Sequence, residues 1–176
     1  SILRSMLLKP KFLVVDEPVS MLDVSVRADI INMLLKLVEN HNTSILFISH
    51  DLRVVRYISD RVAVMYLGSM VETADTEALY DNPRHPYTNA LLEAVPRLDL
   101  QNKQQLASIE GTPPDLIAPP KGCPFCTRCK YCMEICCEQQ PPVLNFGDGH
   151  EASCWLYQLE TPAADAPFTQ EAHYEG

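Results

Sequence analysis

Short, fully apolar runs alternate with helical stripes along the first half of the chain. Phe12-Leu13-Val14-Val15 is continuous and contains β-branched residues, which suits a strand buried on both faces of a parallel sheet. From Val26 the apolar residues return at Ile30, Met33, Leu34, Leu37 and Val38, the spacing of one helix face, and Asn40-His41-Asn42 ends that stripe. Ser44 to Ser49 repeats the buried-strand pattern, and a short helix is expected over about Asp51 to Ile58. Two further strands are expected, about Arg61 to Tyr66 and Met70 to Glu72, with Gly68 in the turn between them. Thr76 is read as the N-cap of a short helix through Tyr80. Pro86 at a first helical position would open another over Tyr87 to Val95. Strands alternating with helices give an α/β fold.

After Pro96 the pattern dissolves. Residues 97 to 122 are polar and then proline-rich, as in Gly111-Thr112-Pro113-Pro114, and read as an extended connection. A cysteine-rich segment follows to about Tyr157, and residues 158 to 176 are acidic, alanine-rich and unpatterned, the composition of a disordered tail. The expected organisation is therefore 1–96, 97–157 and 158–176. Residues 1 to 9 look like the end of a helix already under way, as in a fragment. A net charge of −9 argues against a general nucleic-acid binder, and no apolar run reaches the length of a membrane span.

Asp16-Glu17 at the end of the first apolar run is the first chemical signal. Ligands of open α/β sheets bind beyond the carboxyl ends of strands, where one carboxylate can hold Mg²⁺ and another can polarise water. On these two residues alone, a surface turn opened by Asp-Glu-Pro is the simpler reading. The flanking residues change that. Phe12 to Pro18, then Ser20-Met21-Leu22-Asp23, then Ser49-His50-Asp51 together resemble an ABC-transporter ATPase: a Walker B strand, a D-loop with Met in place of Ala, and the switch histidine. The resemblance implies the C-terminal part of a P-loop NTPase domain. It implies Asp16 for Mg²⁺ of bound ATP, Glu17 as general base, His50 at the γ-phosphate and Asp23 at a dimer interface. Asp23-Val24-Ser25-Val26-Arg27 and Asn82-Pro83-Arg84-His85-Pro86-Tyr87-Thr88 resemble the oligopeptide, dipeptide and nickel importer branch, as do the residues from Gly111 through the cysteines.

The sequence holds no Gly-x-x-x-x-Gly-Lys-[Ser/Thr] and no Leu-Ser-Gly-Gly-Gln. Family order places both before Ser1, so the chain resembles only the later half of the ATPase and, alone, is expected to hydrolyse ATP negligibly. The resemblance implies, for the whole protein, a second ATPase subunit, permease subunits, an extracytoplasmic solute-binding protein reached indirectly, and a place at the cytoplasmic face of the cell membrane.

All seven cysteines lie between Cys123 and Cys154, an odd and clustered set that suits a metal site in a reducing compartment better than a secreted disulfide framework. Cys126, Cys129, Cys132 and Cys136 fit the C-x₂-C-x₂-C-x₃-C spacing of bacterial ferredoxins, with Cys137 where that pattern carries Pro. The transporter resemblance implies a different [4Fe–4S] set, Cys123, Cys129, Cys136 and Cys154, leaving Cys126, Cys132 and Cys137 as extras. Spacing does not separate iron–sulfur from Zn²⁺ bound by four thiolates, and seven unligated thiols is the plain alternative. Two other functions compete: a ferredoxin-like redox module, which leaves residues 10 to 95 unexplained, and a soluble ABC-type ATPase of DNA repair or translation.

Overall fold

A computed structural model describes residues 10–20, 22–95, 109–115, 117 and 119–159. Residues 1–9, Met21, 96–108, 116, 118 and 160–176 lie outside the described residues, and with them the expectation of an opening helix and all of the expected tail except Gln158 and Leu159, which are helical. The chain forms two compact units, Ser1–Ser59 and Asp60–Gly176.

In the first unit, β1 (Phe12–Asp16) and β2 (Ser44–Ile48) pair in parallel, Phe12 opposite Ser44 and Asp16 opposite Ile48. Between them runs α1 (Val24–His41). Asp23 caps it, its carboxylate accepting the Val26 N–H at 2.9 Å, and Asn42 ends it in the left-handed region at φ 51°. The inward stripe of α1, with Ile31, Leu34 and Leu37 buried, packs on Val15 and, less deeply, on Leu13, Ile45 and Phe47. α2 (Leu52–Ile58) contributes Val54 and Ile58 to the same cores. The expectation of strands buried on both faces is corrected here. Side chains alternate along a strand, and among the described residues only one face is covered: Phe12, Val14, Leu46 and Ile48 are 59%, 52%, 49% and 44% exposed. Val26 and Val38, assigned to the helical stripe, lie at its open ends.

The second unit is an antiparallel sheet in the order β3 (Arg61–Tyr66), β4 (Ser69–Asp75), β6 (Glu151–Ser153), β5 (Val143–Asn145). Leu67 and Gly68, at φ 47° and 78°, form a two-residue loop of the kind whose twist matches a tight hairpin. α3 (Thr76–Asp81) follows β4 directly. Its N-cap is Asp75 rather than Thr76: Asp75 is extended, while Thr76 is already helical and buried, its N–H held by the Asp60 carbonyl at 3.0 Å. α4 (Pro86–Glu93) begins at Pro86, with His85 as its cap.

The cysteine-rich segment has more structure than its composition foretells. It adds β5 and β6 to the sheet, a 3₁₀ turn (Cys126–Arg128), α5 (Glu134–Glu138) and α6 (Leu156–Leu159). The described part of the connection contains no helix or strand. Arg128 holds it, donating from Nε to the Glu110 carbonyl at 3.0 Å and from Nη2 to that of Ile109 at 2.8 Å.

Beneath the sheet lies a buried polar knot. Glu72, 1% exposed on β4, accepts the N–H groups of Arg84 and His85 and, at 2.7 Å, the Nε2 proton of His150. One carboxylate thus fixes the Asn82–Tyr87 loop and the turn before β6. Arg84 lies over the Phe146 ring, and its carbonyl accepts the Tyr157 hydroxyl at 2.8 Å.

Candidate functional site

Parallel pairing places the carboxyl ends of β1 and β2 side by side. Asp16, Glu17 and His50 therefore stand at one edge of the first unit. The Glu17 N–H donates to the Ile48 carbonyl at 2.9 Å. Its Oε1 accepts both the His50 backbone N–H at 3.0 Å and the His50 ring at 2.7 Å. A carboxylate brings no proton, so Nδ1 carries it and the other ring nitrogen is left free of this bond. The His50 side chain is 77% exposed.

Two features mark Glu17 as more than a turn residue. Its φ is 46°, a left-handed conformation that a non-glycine residue adopts at a cost on the order of 1–3 kcal/mol. Its second oxygen, Oε2, is buried without a hydrogen-bond partner among the described residues. Strain and an unpaired buried acceptor both cost stability, and both sit on the residue read as the general base.

Asp16 is exposed at the same edge and can hold a cation through water. Asp23 uses one carboxylate oxygen to cap α1. Two residues given no role from sequence join these segments: Arg27 on α1 pairs with Asp51 at 2.9 Å, and Asp51 also caps α2 immediately after His50. The signal for Asp51 was present, an acidic residue directly ahead of an apolar stripe.

In the second unit, a small cavity of about 20 Å³ is lined by Cys123, Cys126, Cys129, Cys136 and Cys154, with His85 and Phe125. The Cys123 N–H donates to the Cys136 carbonyl at 2.7 Å, which draws two distant parts of the segment together. Burial pushes the Cys123 thiol up to about 11 and the Cys154 thiol up to about 12, and neighbouring sulfurs add to both shifts. The Cys129 thiol is raised by the same burial. A cation there would have to offset this preference for the protonated thiol. Cys132 and Cys137 do not line the cavity. Among the described residues, no three His, Cys, Asp or Glu side chains converge closely enough for a single metal ion.

A family model described as the C-terminal region of oligopeptide/dipeptide transporters matches residues 71–136. The chain is 44% identical over 158 residues to the oligopeptide transport ATP-binding protein OppD of Bacillus subtilis (strain 168), covering 90% of this chain and 44% of that protein. It is 49% identical over 158 residues to AppF of the same organism, covering 89% and 48%. With the dipeptide transport ATP-binding protein DppF of Haemophilus influenzae, identity is 46% over 155 residues, covering 88% and 47%. The chain spans about half the length of these relatives. They are transport ATP-binding proteins rather than electron carriers, so the ferredoxin-like alternative has no support. The mixed α/β fold is consistent with the later part of an ABC ATPase, and no described helix is long and apolar enough to cross a membrane. Over about nine-tenths of its length the chain is similar to oligopeptide and dipeptide transport ATP-binding proteins, and its residues 71–136 match the C-terminal region described for oligopeptide/dipeptide transporters.

Proposed function

We propose that this chain is the later part of an ATP-hydrolysing subunit that drives ABC-type import of oligopeptides, dipeptides or a similar solute. The observation that carries the reading is the Glu17–His50 pair at the ends of two adjacent parallel strands, with Glu17 Oε2 buried and unpaired. His50 occupies Oε1 and fixes the carboxylate plane, and Glu17 is the group that takes a proton from an attacking water. Bound Mg-ATP supplies the phosphoryl group and the cation; Asp16 would hold that cation through water. Arg27 and Asp51 keep the segment after Asp23 in register with His50, and Asp23 serves the interface with a second ATPase subunit. The phosphate cradle and the signature segment are not in this sequence and are assigned to the longer protein. That protein would sit at the cytoplasmic face of the membrane on permease subunits, with a solute-binding protein supplying the cargo.

We further assign Cys123, Cys129, Cys136 and Cys154 to a [4Fe–4S] cluster. The set is the one the transporter resemblance implies, and what supports it is that all four thiols, with Cys126, border one cavity. When bound, the cluster would crosslink a segment with short strands and little core of its own.

The test is Glu17→Gln in the full-length transporter. ATP binding is expected to persist while turnover falls on the order of 10²–10⁴-fold, the range of general-base loss. Near-normal turnover would remove Glu17 from the mechanism.

A further inference from the structure

We propose that Cys132 and Cys137 form a reversible dithiol–disulfide site, oxidised by small-molecule disulfides and separate from the thiol-lined cavity. Their Sγ atoms stand 3.8 Å apart, and both residues are exposed. Cys123, Cys126, Cys136 and Cys154 are buried, and together with Cys129 they turn to the cavity, which neither Cys132 nor Cys137 borders. Exposure and position off the cavity thus set Cys132 and Cys137 apart, and Cys137 also meets the thiol of buried Cys126.

Backbone hydrogen bonds hold the outer pair in place. The Cys132 N–H donates to the Cys129 carbonyl at 3.1 Å. Cys137 rides on α5, with the Gln139 N–H closing that helix on the Ile135 carbonyl at 3.0 Å. A disulfide needs about 2.0 Å between sulfurs, so they must close by roughly 1.8 Å, a movement within reach of side-chain torsions on an exposed span.

The chemistry balances with a disulfide RSSR as oxidant. One protein sulfur, as thiolate, attacks RSSR, giving a mixed disulfide and releasing RS⁻. The second protein sulfur then attacks the first, displacing the other RS⁻. The two thiol protons leave on two molecules of RSH; the protein loses two electrons and RSSR gains them. Excess thiol runs the sequence backwards. A partner sulfur this close makes the second step intramolecular, which favours the internal bond over a lasting adduct.

The experiment treats the intact chain with oxidised glutathione, blocks remaining thiols with an alkylating agent, and cleaves after Glu134, which lies between the two cysteines. The fragments carrying Cys132 and Cys137 are expected to stay joined until a reductant is added, with the chain lighter by two hydrogens. In Cys137→Ser and in Cys132→Ser the link should vanish, with one glutathione on the remaining cysteine of the pair; a link that survives Cys132→Ser would run through Cys126 and overturn the proposal. Separate alkylation of both residues in the treated wild type would overturn the proposal. So would a link that survives Cys137→Ser, since it would then run through the neighbouring Cys136.

Discussion

His85 carries its role through its protonation state. It is 1% exposed, and burial lowers its pKa to about 4 against the opposing pull of Glu72. Its Nδ1 accepts the Tyr87 N–H at 3.1 Å and so caps α4, which only an unprotonated nitrogen can do. With the folded pKa below the unfolded value of 6.5, the unfolded chain binds more protons between them. Stability is therefore full above about 6.5 and falls as pH drops towards about 4. The whole window amounts to roughly 3 kcal/mol. His85→Asn, which keeps an acceptor near the Nδ1 position, is expected to flatten this acid dependence in denaturant titrations at several pH values. An unchanged slope would place the acid sensitivity elsewhere. From sequence, His85 was one letter in a loop-to-helix entry with no role assigned. Its importance comes from Glu72, thirteen residues earlier, whose burial as an acid within a strand no local pattern announces. Glu17 is the contrary case. Its place after an apolar strand was legible, but its left-handed backbone and unpaired oxygen were not, because both depend on Ile48 and His50 across the strand pair.

At the scale of elements, the strongly periodic segments matched expectation closely: β1, α1, β2, α2 and the β3–β4 hairpin all lie where the apolar spacing put them. β4 runs on to Asp75 because Val62 and Arg61 of β3 pair with Ala74 and Asp75; Glu72 and Thr73 also pair with β6, about eighty residues away, a contact that no window of sequence contains. The cysteine-rich elements were missed for a related reason. Each is three to five residues long, too short for a period, and each is held by distant bonds such as the Trp155 Nε1–H to the Gln139 carbonyl at 3.1 Å. Gly122 sits at the tightest of these joints. A Cβ there would strike the Cys136 carbonyl oxygen and the Cys137 backbone. Gly122→Ala is expected to destabilise the second unit by about 1–3 kcal/mol, the usual cost of overpacking, and to separate Cys123 from Cys136. Thermal unfolding of the variant beside wild type measures the first effect, and the alkylation rates of Cys123 and Cys136 measure the second. Gly147→Ala provides the contrast: its Cβ meets nothing within 4 Å, and only its φ of 96° opposes the change.

At the scale of the whole molecule, two units carry separate chemistries, a carboxylate–histidine edge in Ser1–Ser59 and a thiol-lined cavity in Asp60–Gly176. If the inner cysteines hold a cluster, Cys→Ser at Cys123, Cys129, Cys136 or Cys154 should each abolish bound iron and acid-labile sulfide, and Cys137→Ser should leave both intact. Chelating the iron should make the described residues from 119 onward more sensitive to protease without changing the first unit. Iron retained in Cys154→Ser would overturn the assigned set. The family match reinforces this division, since the matched model spans residues 71–136, within the second unit.

The sequence by itself determined the alternation of strands and helices, the carboxylate pair after the first strand, the histidine after the second and the crowding of cysteines into one segment. Each is a local property, written in side-chain period or spacing along the chain. Tertiary structure alone decided that Glu17 and His50 share a proton-bearing contact, that Glu72 gathers Arg84, His85 and His150, and that Cys132 and Cys137 stand together off the cavity. Those outcomes depend on which residues are brought together across long stretches of chain and which are removed from water, and burial and direction in space are not properties of spacing.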